Sequence, residues 1–111
     1  MINNKVYGLL GLSAKAGKIA FGTDSCLEMI SKHKLKLVIV AEDSSERTIN
    51  NFKEKCKQNN IDFYIFGKKD DLSKAIVNIN KAVIGIKDKN LAGAIIKILS
   101  GGDVIGYNEN T

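Results

Sequence analysis

The sequence predicts an α/β fold, a three-layer α/β/α sandwich around a four-stranded mixed, largely parallel sheet. Three observations lead there. Short apolar segments alternate with segments of helical spacing, the order expected of strands joined by right-handed helical crossovers. The run Leu37-Val38-Ile39-Val40-Ala41 is apolar without a break and rich in β-branched residues, as a central strand covered on both faces requires. The chain has 111 residues, 44% of them hydrophobic, which is room for one packed core and not for two. The expected organisation is a single domain over residues 1–102 and a polar tail over 103–111.

Val6, Leu9, Leu10 and Ala14 fall on one face of a helix running from Asn3 to Ala16, and Gly17 stands where a left-handed cap would end it. A short strand from Lys18 to Phe21 follows. Cys26, Met29 and Ile30 give the second helix its buried stripe, closed by the polar turn Ser31-Lys32-His33-Lys34. After the Leu37–Ala41 strand, Ser44 or Ser45 caps a third helix in which Ile49, Phe52 and Cys56 recur at helical spacing, and Asn59-Asn60 terminates it. Phe63 to Phe66 form the third strand. Leu72, Ala75, Ile76 and Ile79 define a fourth helix, Ala82 to Ile86 the fourth strand, and Leu91, Ile95 and Ile98 with Ala92, Ile96 and Leu99 a wide-faced last helix closed by Gly101-Gly102.

Charge is unevenly placed along this framework. The formal net charge is +5, and residues 1–36 hold six lysines against Asp24 and Glu28, a net +4. That third also contains the turn from strand into helix at Gly22-Thr23-Asp24-Ser25. The first turn of a helix leaves backbone N–H groups unpaired at the positive end of the macrodipole, a predisposition for phosphates. With lysines on both sides, nucleic acid is the leading partner class. A solvated lysine-rich surface is the alternative reading of the same charges.

Other chemistries find less support. Cys26 and Cys56 lack a C-x-x-C pair or a histidine cluster and fall on apolar helical positions, so they read as buried free thiols. No dinucleotide fingerprint or P-loop is present, and Gly8 and Gly11 within the first helix read as sites of close helix packing. Glu42 and Asp43 after the second strand, with Lys87 after the fourth, superficially suggest a metal-dependent phosphoacceptor. The third strand, however, ends in Gly67-Lys68-Lys69 where such a site needs its aspartate. His33, the single histidine, lacks a local orienting carboxylate, and Ser13 with Lys15 cannot face one another two residues apart on a helix. No catalytic residue, metal or cofactor is expected. There is neither an apolar run of about 18 residues nor a secretion signal, so a cytoplasmic protein is expected.

At Gly22-Thr23-Asp24-Ser25, at the strand end Val40-Ala41-Glu42-Asp43 and along Leu72-Ser73-Lys74-Ala75, the chain resembles the kink-turn-binding ribosomal protein superfamily. This is the group of the L-seven-Ae and L-thirty-e type with its short bacterial relatives, and the resemblance covers nearly the whole chain. It implies a non-enzymatic RNA-binding protein associated with the ribosome or other structured RNA, and a monomer is expected. In that family a Gly-Ala/Thr-Asn-Glu turn opening the second helix contacts the sheared guanine-adenine pairs of a kinked RNA, and a lysine one turn later meets phosphates. Gly22 and Thr23 agree with the pattern. Asp24 replaces the asparagine, keeping acceptors for a guanine edge, Ser25 replaces the glutamate, and Glu28 stands where the lysine would be. Lys32, one further turn along, is the candidate to compensate. Lys18, Lys32 and Lys69 are expected to hold phosphates. Val77-Asn78-Ile79-Asn80 occupies the place of the family's second RNA-contacting loop, with Val77 at its usual glycine, so Asn78 and Asn80 join the candidate contacts. The departures at Asp24, Ser25 and Glu28 leave a rival reading, a protein-interaction module on the same scaffold that has lost specific RNA binding.

Overall fold

The structure, a computed structural model, describes residues 2–77 and 81–101. The expected contacts at Asn78 and Asn80, Ile79 of the fourth helix, Gly102 and the 103–111 tail lie outside the described residues. The elements follow in the order α1 (Ile2–Lys15), β1 (Ile19–Phe21), α2 (Thr23–Ser31), β2 (Leu37–Val40), α3 (Glu46–Gln58), β3 (Asp62–Ile65), α4 (Lys69–Ile76), β4 (Val83–Ile86) and α5 (Lys89–Leu99). The stop signals behave as their chemistry dictates: Gly17 has φ +71° after α1, and Asn60, at φ +56°, turns the chain after α3. Ser45, rather than Ser44, caps α3, its hydroxyl accepting from the Thr48 N–H at 3.1 Å.

Strand side chains alternate between two cores, which makes the sandwich. Leu37, Ile39, Ile84 and Ile86 point to one face, where Val6 and Leu10 of α1, Leu72 and Ile76 of α4, and Ile95 and Ile98 of α5 cover them. Val38, Val40 and Val83 point to the other, against Cys26 and Ile30 of α2 and Phe52 and Cys56 of α3. Both cysteines are buried and unbridged, and burial pushes the Cys26 thiol up to about 12 and the Cys56 thiol up to about 11. They act as small apolar side chains.

The sheet is mixed, in the order β1-β4-β2-β3, but it is not largely parallel in its pairing. Among the described residues only β2 and β3 form a parallel ladder; β4 runs antiparallel to both of its neighbours, with Ile86 opposite Ile19 on one side and Leu37 on the other. The three strands β1, β2 and β3 share one direction, and β4 is inserted reversed between β1 and β2. The cause lies in α4. Its eight residues span only about 12 Å. It ends in the left-handed Val77, and the Lys81 N–H donates to the Ser73 hydroxyl at 3.2 Å, which holds the approach to β4 beside α4. β4 therefore starts at the sheet end where β3 stopped.

Two glycines allow close approach. Gly11 lets α1 pack on α4, since a Cβ there would lie 3.0 Å from the Ala75 carbonyl oxygen, whereas Gly8 is exposed and a Cβ there would meet none of the described residues within 4 Å. Gly85, in the middle of β4, is more demanding: a Cβ would lie 2.5 Å from Leu35 Cδ1 and 3.3 Å from Cys26 Sγ.

Candidate nucleic-acid interface

Because β1, β2 and β3 run the same way, the helices that follow them all begin at one end of the sheet. The N-termini of α2, α3 and α4 gather there, together with the start of β4. Gly22, the N-cap of α2, has φ +87° and ψ 169°, a conformation open essentially to glycine alone. Its own N–H donates to the Val83 carbonyl at 2.8 Å, which ties the turn to β4, and it offers no side chain to the first helical turn. The N–H groups of Thr23, Asp24 and Ser25 are thus left for an outside acceptor.

Two cations that the sequence had not singled out stand beside this turn. The Lys81 ammonium lies 3.5 Å from the position a Cβ on Gly22 would take. Arg47, the single arginine of the chain, shares with Thr23 a shallow cavity of about 670 Å³ between α2 and α3, also bordered by Thr48, Asn50 and Asn51. Arg47 and Lys81 are 25 and 59 positions distant from Gly22 in sequence, and the insertion of β4 next to β1 and the start of α3 beside α2 bring them there.

The expected phosphate holders are dispersed. Lys18 precedes β1 whereas Gly22 follows it, so the two lie at opposite sheet ends, about 13 Å apart along the strand. Lys32 caps the far end of α2 and its ammonium contacts the Glu28 carboxylate at 2.9 Å, neutralising Glu28 without reaching the helix start. Lys69 opens α4 at the correct end, but three strand spacings from Gly22, about 14 Å. It follows Lys68 and precedes Asp70 and Asp71, so its neighbourhood is mixed in charge.

The acidic pair has a structural task. The Gly67 N–H donates to Glu42 Oε2 at 3.2 Å and the Lys69 N–H to Asp43 Oδ1 at 2.9 Å, while Lys68 pairs with Glu42 at 3.6 Å. These bonds clamp the turn after β2 to the turn after β3 and cap α4 in trans. Lys87, reversed with β4, lies at the opposite end of the sheet, so the three residues of the superficial phosphoacceptor are not brought together. Ser13 is buried with its hydroxyl donated to the Leu9 carbonyl at 2.8 Å, and His33 occupies a left-handed turn at φ +57°.

Residues 4–94 match the family described as Ribosomal protein L7Ae/L30e/S12e/Gadd45. The chain belongs to this family. Among its curated relatives, it is similar to the RNA-binding protein YlxQ of Bacillus subtilis (strain 168), with 27% identity covering 84% of this chain and 93% of that protein. It is likewise similar to the RNA-binding protein YlxQ of Enterococcus faecium, with 29% identity covering 87% of this chain and 93% of that one. A solved protein of unknown function from Bacillus halodurans superimposes with a TM-score of 0.83 at 26% identity, covering 86% of this chain and 96% of that one. The 15.5 kD RNA-binding protein of Giardia lamblia, at 21% identity and a TM-score of 0.77, shares the fold over 93% of this chain and 87% of its own.

Within this L7Ae/L30e/S12e/Gadd45 scaffold Val77 stands out. It ends α4 in the left-handed conformation, φ +53° and ψ 51°, which is costly for a β-branched residue, and its side chain is 88% exposed. Val77→Gly is expected to raise stability by about 1 kcal/mol, relief of strain exceeding the added entropy of the unfolded chain, and to raise Tm by about 5 °C. Thermal unfolding followed by circular dichroism reads this directly; an unchanged or lowered Tm would show that the strain is absent.

Proposed function

We propose that this protein is a non-enzymatic binder of structured RNA that engages a kinked or internally looped RNA of the kink-turn type through the N-terminus of α2. The observation that carries the reading is the uncapped first turn at Gly22, with open N–H groups at Thr23, Asp24 and Ser25 and the Lys81 ammonium directly beside it. The names of its YlxQ relatives and its family support the class of ligand.

In this reading the backbone N–H groups and Lys81 hold the phosphates that flank a kink, with Arg47 continuing the contact along α3 and Lys69 reaching the strand farther along the same sheet end. Asp24 accepts from the Watson–Crick edge of an unpaired or sheared guanine, which presents N–H donors. The Asp24 carboxylate repels phosphates, so it favours a backbone that bends away from it, which a straight duplex does not do. Lys18 and Lys32 stay outside this contact. The protein acts as a monomer on ribosomal or other structured RNA in the cytoplasm, without metal or cofactor.

A gel-shift with a kink-turn RNA and a straight duplex of equal length tests this. The kinked RNA is expected to bind more tightly, and with about four phosphates neutralised its affinity should fall with salt at a log–log slope near −3. Equal binding of the two RNAs would reduce the protein to a generic polycation and overturn the reading.

A further inference from the structure

The end of the sheet opposite the Gly22 turn carries a second basic surface. Lys18, Lys87 and Lys36 extend β1, β4 and β2 there. The Lys87 N–H donates to the Lys18 carbonyl and the Lys36 N–H to the Ile86 carbonyl, both at 2.8 Å. Continuing the pairing of Ile86 with Ile19 and Leu37 sets the three lysines in one row across three adjacent strands, about 5 Å apart at the backbone. Like charges directly opposite one another in an antiparallel pair are destabilising. Among the described residues no carboxylate forms an ion pair with any of the three, whereas Lys32 and Lys68 are each paired with one. A row of uncompensated cations fixed by ladder hydrogen bonds is a local conflict with stability, the kind of violation that a binding surface explains.

A cleft of about 500 Å³ opens beside the row and shares Lys36 with it. Leu35, Ile61 and Ile96 contribute apolar walls, and His33, Lys36 and Lys89 line it together with the single carboxylate Asp62. Its volume falls in the range of small-ligand sites, and its combination of apolar walls, an imidazole ring and cations suits a planar base joined to a phosphate. We infer that this pole is a second nucleic-acid site, which takes single-stranded RNA with a base in the cleft and the adjoining phosphates on Lys36, Lys87 and Lys18. Such sites combine a positively charged track with a platform for unstacked bases, and they tolerate any sequence. An RNA bound at the Gly22 turn would then have its single-stranded flank held at the opposite end of the same sheet. The choice of RNA rests on the proposed function, whereas the site itself does not.

The probe is a fluorescein-labelled oligouridylate of about 12 nucleotides, followed by anisotropy at about 50 mM salt. The wild-type protein is expected to bind it. Lys36→Gln/Lys87→Gln should weaken binding about tenfold or more and flatten the log–log salt slope by about 1.4, while slightly raising Tm as like charges are removed. Gly93→Phe on α5 projects into the cleft, where a Cβ meets no atom within 4 Å, so the fold is kept. That variant should weaken binding to a similar degree with the salt slope unchanged. Lys53→Gln/Lys74→Gln, which removes the same charge from exposed positions of α3 and α4, should leave the oligouridylate affinity as it is. Absence of binding by the wild-type protein overturns the inference. So does an equal loss of binding in the Lys53→Gln/Lys74→Gln protein, loss of binding only in an Arg47→Ala/Lys81→Ala protein, or displacement of the RNA by polyglutamate at equal charge. The kink-turn measurement uses an RNA without single-stranded flanks, so its failure and the failure of this site are read separately.

Discussion

Gly85→Ala is expected to lower the free energy of unfolding by about 2 kcal/mol, a large share of the 5–15 kcal/mol typical of a domain. The added methyl would arrive 2.5 Å from Leu35 Cδ1, 2.9 Å from Leu35 Cδ2 and 3.3 Å from Cys26 Sγ, inside van der Waals contact in each case. Leu35 is 4% exposed and packs in the core with Cys26 and Val38, so moving its Cδ atoms off the new methyl disturbs that packing or drives them toward the cleft that Leu35 borders. The overlap is relieved partly by rotation of Leu35 and partly by a shift of β4, a fully buried strand paired on both edges. Leu35→Ala alone should cost about 2–5 kcal/mol by leaving a cavity. On the Gly85→Ala background it should cost less, because the new methyl occupies part of the space that Leu35 vacated. A double-mutant cycle by urea unfolding should therefore return a coupling of about 1–2 kcal/mol in the compensating direction. Strict additivity would mean that the two side chains do not compete for one volume.

Gly85 also shows what the sequence makes legible and what it does not. A glycine inside the Ala82–Ile86 apolar run suggests a bulge or close approach, but which residue approaches depends on Leu35, fifty positions earlier, crossing the sheet at that point. The five helices, the four strands and the two-faced burial of β2 follow from periodicity, which is a local property of the chain. Strand direction is not encoded in periodicity: Val83–Ile86 reads the same whether it runs up or down the sheet. Its reversal, set by the short α4 and the Ser73–Lys81 hydrogen bond, is what separated the expected largely parallel pairing from the one found.

The same reversal reassigns the charges. The lysine excess of residues 1–36 is a property of the sequence order, and the turn at Gly22 lies within that segment. Yet Lys18 and Lys32 are near that turn only in sequence, with a strand's length and a helix's length between. Lys81 was passed over because a lysine following α4 carries no local signal; its relevance comes from β4 beginning beside the end of β1. Arg47 stands in the first turn of α3, where an arginine close to the positive end of the dipole is unfavourable and is relieved by an external anion. That misfit, together with its being the single arginine, was the available signal.

Removing these two cations should therefore affect RNA binding more than removing any residue chosen from the basic N-terminal third. Lys81→Ala and Arg47→Ala are each expected to weaken kink-turn binding about tenfold, corresponding to one charge-assisted hydrogen bond of roughly 1.5 kcal/mol, and together about a hundredfold if they act independently. Each should flatten the log–log salt slope by about 0.7–0.9, since each releases one phosphate. Asp24→Ala should behave differently. A carboxylate that reads a guanine edge makes no phosphate contact, so its loss should narrow the preference for kinked RNA over duplex while leaving the salt slope in place. Gel-shifts of the three variants against both RNAs at several salt concentrations separate these roles. If Asp24→Ala instead strengthened binding to both RNAs equally, the carboxylate would be acting only as a repulsive charge at the helix start. Recognition would then rest on the backbone N–H groups of the Gly22 turn and the shape of the bent RNA.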